Sequence, residues 1–174
     1  MMQLNSLHDL FIDQLRDLYD AESQIVAALP KMSSAASSRE LRQAFQHHLQ
    51  QSREHLRRLE DVFDDLGQNP IGEHCPAMEG LIQEGEKIIM AGGDTSVKDA
   101  ALIAAAQRVE HYEMAGYGAV RTYAKELGYK DAEKLLQQTL NEEGEADKLL
   151  TKLAEGGFLK TGINEEAKTS MSRS

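Results

Sequence analysis

The stretch Arg108-Val109-Glu110-His111-Tyr112-Glu113-Met114 decides how the chain is read. It lies inside the run from Ala100 to Leu127, which reads as one long helix. The run opens on Ala100, Ala101, Leu102, Ile103, Ala104, Ala105 and Ala106, mostly strong helix formers, and contains no proline. Its inward stripe passes through Ile103, Ala106, Tyr117, Val120 and Ala124 at helical spacing, and Glu110 and Glu113 fill the gap in that stripe. Gly116 and Gly118 are tolerable where a neighbouring helix packs close. Two carboxylates facing a core are costly unless positive charge meets them. Arg108 or Arg121 is one source of that charge. A metal ion is another, and its remaining ligands must then lie on the other helices.

Before this run the chain reads as two long helices and a short one. The first spans about 4–34, with Phe11, Leu15, Leu18, Ile25 and Leu29 inward and Asn5 or Ser6 as its cap. Glu22 falls on that stripe, whereas Asp13, Asp17 and Asp20 spread towards the outer face, and Pro30 kinks the helix or marks its last turn. Ser37 with Glu40 makes a capping box for the second helix, about 38–66, which Gly67 stops. Its seam is Leu41, Phe45, His48, Ser52, His55, Leu59, Val62 and Leu66, so polar residues at 48, 52 and 55 interrupt an apolar stripe. Residues 68–75 read as loop, and a short helix follows from about Pro76 to Met90. After Gly128, a fourth long helix runs from about Asp131 to Glu155, with Leu136, Leu140, Glu143, Leu150 and Leu153 inward and Asp147 alongside. The expected domain is a helical bundle over 1–158, and the Ser-, Thr- and Lys-rich segment 159–174 is expected to be a mobile tail.

Composition narrows the function. At 174 residues the chain is most simply one domain, and its formal net charge of −10 argues against nonspecific binding of nucleic acid or anionic membrane. No glycine-rich phosphate loop follows a strand, and no apolar run is long enough to span a bilayer. The single cysteine, Cys75, excludes an intramolecular disulfide and fits a reducing compartment. Met1 to Asp9 lacks the pattern of a signal peptide, so the expected location is cytoplasmic.

Each long helix thus carries an ionisable residue on its buried seam. The separation from Glu22 to His55 is 33 residues, and so is that from Glu110 to Glu143. In two antiparallel hairpins with similar turns, equal separations bring these four residues to one level. Glu113 lies one turn from Glu110, and Asp147 one turn from Glu143. Carboxylates with imidazole suit iron, manganese or zinc better than magnesium or calcium. Each residue alone has a plainer reading: a rim carboxylate reaching out to water, or a hydrogen-bonded core histidine. Tyr19, Tyr112 and Tyr117 flank the level as redox neighbours or as ordinary core aromatics.

The chain resembles the YciF-like family of bacterial stress proteins, within the ferritin-like superfamily. The matching stretches are Asp17-Leu18-Tyr19-Asp20-Ala21-Glu22, Cys75 to Ile82, Asp99 to Glu113, and Leu140 to Glu143 with Asp147. The resemblance covers nearly everything from Leu7 to Glu155. It implies an all-α fold, a ferritin-like four-helix bundle with an additional short helix in the crossover between the second and third long helices. It also implies a homodimer, a dinuclear iron site and a role in stress response. In architecture the chain is similar to rubrerythrin, whose pattern places carboxylate ligands at Glu22, Glu110, Glu113 and Glu143. The ferritin-like pattern has Glu-x-x-His on the second and fourth long helices. Here the second offers Ser52-x-x-His55, with Gln51 beside it as a weak neutral ligand, and the fourth has Ala146 in the histidine slot, with Asp147 as substitute. Arg58, one turn past His55, is placed to pair with a carboxylate. The expected ligands are therefore Glu22, His55, Glu110, Glu113, Glu143, Asp147 and Gln51. Two functions follow: a dinuclear metal protein that reacts with peroxide or oxygen, or a non-catalytic dimeric interaction module with a partial site.

Overall fold

Each long helix starts or stops on a residue whose chemistry favours a boundary. In the computed structural model, which describes residues 4–157 and 160–170, α1 (Leu7–Ala35) is opened by Ser6, whose hydroxyl accepts from the Asp9 amide at 3.1 Å. Pro30 lies within its last turns. α2 (Arg39–Asp65) is capped by Ser38 rather than Ser37, the Ser38 hydroxyl accepting from the Leu41 amide at 3.3 Å. The amides of Ser37 and Ser38 donate to the buried Asp99 carboxylate at 2.8 and 2.6 Å, which ties this turn to the third long helix. α2 gives way to Gly67 at φ +62, and the Gln68 amide reaches back to the Phe63 carbonyl at 2.9 Å. α3 (Pro76–Met90) begins with proline, α4 (Thr95–Leu127) is capped by Asp94 and closed by Gly128 at φ +79, and α5 (Lys130–Glu155) follows.

α1 with α2 and α4 with α5 form two hairpins that pack on each other through α1 against α4 and α2 against α5. α3 covers the α1–α4 side. Gly116 allows α1 to come close, since a Cβ there would sit 2.8 Å from Leu18 Cδ2. The architecture is an all-α bundle with a short extra helix in the crossover.

The core is divided in two. One apolar cluster joins Ile25, Leu29, Leu41, Phe45, Leu102, Ile103 and Leu150, while the other joins Phe11, Leu15, Leu59, Phe63, Tyr117, Val120 and Leu136. Between them each long helix contributes buried polar residues: Glu22, then His48, Ser52 and His55, then Glu110 and Glu113, then Glu143. Hydrophobic burial holds the two halves, and their separation places the polar residues in one layer.

Two expectations change. Asp17 and Asp20 do not simply face water. Asp17 accepts from the Tyr112 hydroxyl at 2.6 Å, and Asp20 accepts from the Cys75 amide at 2.7 Å, anchoring the loop that leads into α3. The segment after α5 is not a loose tail where it is described. β1 (Gly156–Gly157) pairs antiparallel with β2 (Lys160–Thr161), and α6 (Ile163–Ser170) packs on α4 with Ile163 in the core. Gly156, at φ +76, and Gly162 permit this tight reversal because a Cβ on either would collide with the opposite backbone. Of the expected tail, 159 and 171–174 lie outside the described residues, as do 1–3 and 158 of the expected bundle.

Candidate metal centre

The layer gathers two overlapping sets of donors. His48, Glu110, Glu113 and Glu143 each offer a ligand atom within 4.8 Å of the others, and so do Glu22, His55 and Glu143. Glu143 belongs to both sets. All six residues are buried. The equal 33-residue separations have a direct counterpart: His55 Nδ1 lies 2.9 Å from Glu22 Oε1 and 2.9 Å from Glu143 Oε1, so the two hairpins meet at this ring. A single ring N–H cannot serve both, and only Glu22 is in line for a hydrogen bond. His48 Nε2 lies 3.3 Å from Glu110 Oε1 and 3.8 Å from Glu143 Oε2, with neither ring nitrogen hydrogen-bonded.

Electrostatics follow from this crowding. Burial and then the Glu143 charge push the Glu110 carboxyl well above the usual range. Burial, with Glu143, Glu22 and Glu110 nearby, does the same to Glu113. Burial also works upward on Glu143, but the close approach of His55 and the charge of His48 outweigh it, and its pKa is lowered. For His55 burial works downward, yet contacts to Glu143 and Glu22 lift the imidazole to about 10. The far side of that ring is also held: Nε2 is 2.9 Å from Glu142 Oε2. Glu142 receives two bonds from the Arg58 guanidinium, at 2.7 and 2.9 Å, and these with Gln138 and His55 overcome burial and bring it down to about 2.

The residues fit a cation. Among the described residues, both oxygens of Glu113, both of Glu143, one each of Glu22 and Glu110, and both nitrogens of His48 are buried without a hydrogen-bond partner. Such atoms are rare in folded proteins because each costs about 1–3 kcal/mol. A positive ion among them would satisfy several together, and a mixed carboxylate–imidazole set suits iron, manganese or zinc.

Of the seven residues expected as ligands, the structure brings together Glu22, His55, Glu110, Glu113 and Glu143. Asp147 stands apart, accepting from Gln107 at 3.0 Å and lying 3.3 Å from His111 Nε2. Gln51 lines a recess that also reaches His48 and Glu110. Arg108 pairs with Glu84 at the surface rather than with Glu110 or Glu113. Of the three tyrosines only Tyr117 reaches the layer, donating to Glu22 Oε1 at 2.7 Å, while Tyr19 bonds Glu60 and Tyr112 bonds Asp17. Two residues of this layer are missing from the expected set: His48, which offers a ligand atom, and Glu142, which holds His55 from behind. His48 is visible in the sequence as the first polar interruption of the α2 seam, two turns before His55. Glu142 leaves no signal in the periodicity, because it reaches sideways from α5 to Arg58.

Two recesses end on His48 and Glu110. One, of about 120 Å³, opens between α2 and α5 past His47, Gln51, Glu145 and Ala146. The other, of about 30 Å³, lies between α1, α3 and α4. Among the described residues, no helix is long and apolar enough to cross a membrane.

Comparison with known proteins agrees with the fold. Residues 6–167 match the family described as a domain of unknown function, DUF892, a match that runs beyond α5 into α6. The chain is 43% identical over 165 residues to protein YciF of Escherichia coli K12, covering 94% of this chain and 99% of that protein. The crystal structure of the E. coli stress protein YciF superposes with a TM-score of 0.84 at 39% identity, covering 98% of this chain and all of that one. A Rhodopseudomonas palustris protein called YcfI matches with a TM-score of 0.83 at 44% identity, over 88% of this chain and 96% of its own. On this identity and coverage, the chain belongs to the DUF892 family, the family of YciF-like stress proteins.

Proposed function

We propose that the chain holds a dinuclear metal centre of the ferritin-like kind and meets a small oxidant there, peroxide or dioxygen. Iron is the metal preferred, with manganese and zinc as alternatives. The observation that carries this reading is the pair of buried donor sets sharing Glu143. When bound, iron or manganese would supply electron-transfer steps and open positions for an oxidant, whereas zinc, which has no redox chemistry, would only fill the site. The protein supplies the rest. His48, Glu110 and Glu113 would hold one ion, Glu22 and His55 the other, with Glu143 between. Glu142, ionised by Arg58, accepts the Nε2 proton of His55 and so leaves Nδ1 turned towards Glu22 and Glu143. Tyr117 takes one oxygen of Glu22 and leaves the other without a protein partner. The two apolar halves of the core exclude water on either side.

A second reading, a non-catalytic interaction module, draws on one observation: His55 sits between Glu22 and Glu142 as a buried imidazolium would, needing no metal. It leaves Glu113 with both oxygens unmet, which favours the first reading. A homodimer is part of either proposal and is read by analytical ultracentrifugation. The deciding experiment is metal content by plasma mass spectrometry, on protein purified without chelator and again after anaerobic Fe(II) loading. About two ions per chain, lost in Glu143→Ala with helicity kept, support the dinuclear centre. One ion or none after loading overturns it and leaves the interaction module.

A further inference from the structure

The two recesses that end on His48 and Glu110 differ in chemistry. The one between α2 and α5 presents His47, Gln51 and Glu145, groups that can hydrogen-bond a polar molecule or attract a cation. Ala146 forms part of its wall with a side chain that offers no polar group. The one under α3 is walled by Ile25, Leu29, Leu81, Ile82, Ile89 and Val109. Its rim is spanned by the Lys31–Glu86 ion pair, 2.7 Å long, which links α1 to α3. Gly85, buried in α3, forms part of its wall, and a Cβ placed there would meet no atom within 4 Å. The space beside Gly85 is therefore open rather than filled by a neighbour.

A small recess with mostly apolar walls holds water weakly and admits apolar guests such as xenon. Hydrogen peroxide would surrender its hydrogen bonds to water on passing such walls, a cost that dioxygen does not bear. The geometry points to the recess between α1, α3 and α4 as a dioxygen site that delivers the gas to the His48–Glu110 end of the polar layer. Dioxygen is then the oxidant that arrives by this face, while peroxide and cations are left the α2–α5 side. The inference rests on the metal reading for what dioxygen meets at the inner end. Occupancy of the recess does not.

The test therefore begins without metal. Xenon is titrated into chelator-treated protein and followed by 129Xe NMR and by the shifts of the side-chain methyl groups of Ile25, Leu29, Ile82 and Val109, which line the recess. The expected result is saturable shifts confined to these residues, abolished in Gly85→Leu and weakened in Gly85→Ala. The alanine variant adds a single methyl group to the same space and keeps the test available where the leucine variant does not fold. In Fe(II)-loaded protein, Gly85→Leu should slow dioxygen consumption by about tenfold, with metal stoichiometry and the peroxide reaction unchanged. No xenon response at these methyl groups in the wild type overturns the proposal, and so does equal slowing of both oxidants. A protein that takes up no metal but still binds xenon at Gly85 refutes the metal reading and leaves the gas site standing.

Discussion

Replacing Glu113 with leucine tests the centre through a change of sign. Glu113 is fully buried, neither of its oxygens is hydrogen-bonded, and burial with the neighbouring glutamates keeps its pKa well above the carboxylate range. Without metal its carboxyl resists ionisation and its polar atoms stay unmet, a condition that costs about 1–3 kcal/mol. Leucine has similar bulk and no such atoms. The metal-free variant should therefore be more stable than the wild type by that amount, a Tm rise of about 2–12 °C for a chain of this size. Metal reverses the order. A cation at one hundred times its Kd adds about 2.7 kcal/mol to the wild type, whereas the variant has lost a donor from the His48 set and gains little. The assay is urea unfolding followed by circular dichroism, in chelator and in excess Mn(II). A leucine variant that is less stable without metal, and that Mn(II) stabilises as much as the wild type, refutes the reasoning.

Two further predictions address the surrounding residues and the protons. Glu142→Gln removes the charge that Arg58 and His55 share, so metal affinity should fall about 10–100-fold, measured by competition with a chelator; unchanged affinity refutes the positioning role. In chelator-treated protein, His55, raised from 6.5 to about 10, holds its proton more tightly folded than unfolded, and Glu110 and Glu113 are shifted in the same direction. Their contribution is fully present below the unfolded pKa values and is lost as pH rises, so the urea midpoint should fall between pH 6.5 and about 10. A flat or rising midpoint counts against these shifts. With metal the same protons must leave, so affinity should rise over that window.

Most helix ends are legible because they rest on local chemistry: Ser6, Gly67 and Gly128 act within a few residues of themselves. Ser38 displaces Ser37 as the cap through a neighbourhood that includes Asp99, 61 residues away and beyond any local rule. Glu22, His55, Glu110, Glu113 and Glu143 stand out as polar interruptions of apolar seams. His48 carries the same mark, but the Glu-x-x-His pattern draws attention to His55 alone. Asp147 shows the converse: one turn from Glu143, its side chain turns to Gln107 and His111 because a short carboxylate bonds what is nearest. The chain after Glu155 looks polar by composition, and its fold, among the described residues, depends on two glycines and the buried Ile163.

The division of the core into two apolar halves bears on how the hairpins find their alignment. Each half is lined by side chains that exchange for one another at modest cost. Sliding one hairpin by a helical turn, about 5.4 Å, would still bury leucine against leucine. The same slide would part Glu110 from His48 and carry one of Glu110 and Glu113 out of the polar layer against apolar side chains, a heavy penalty for a buried carboxyl. The ionisable layer thus acts as an indexing mark: alignments that the greasy halves would tolerate are rejected at the one level where the helices must agree.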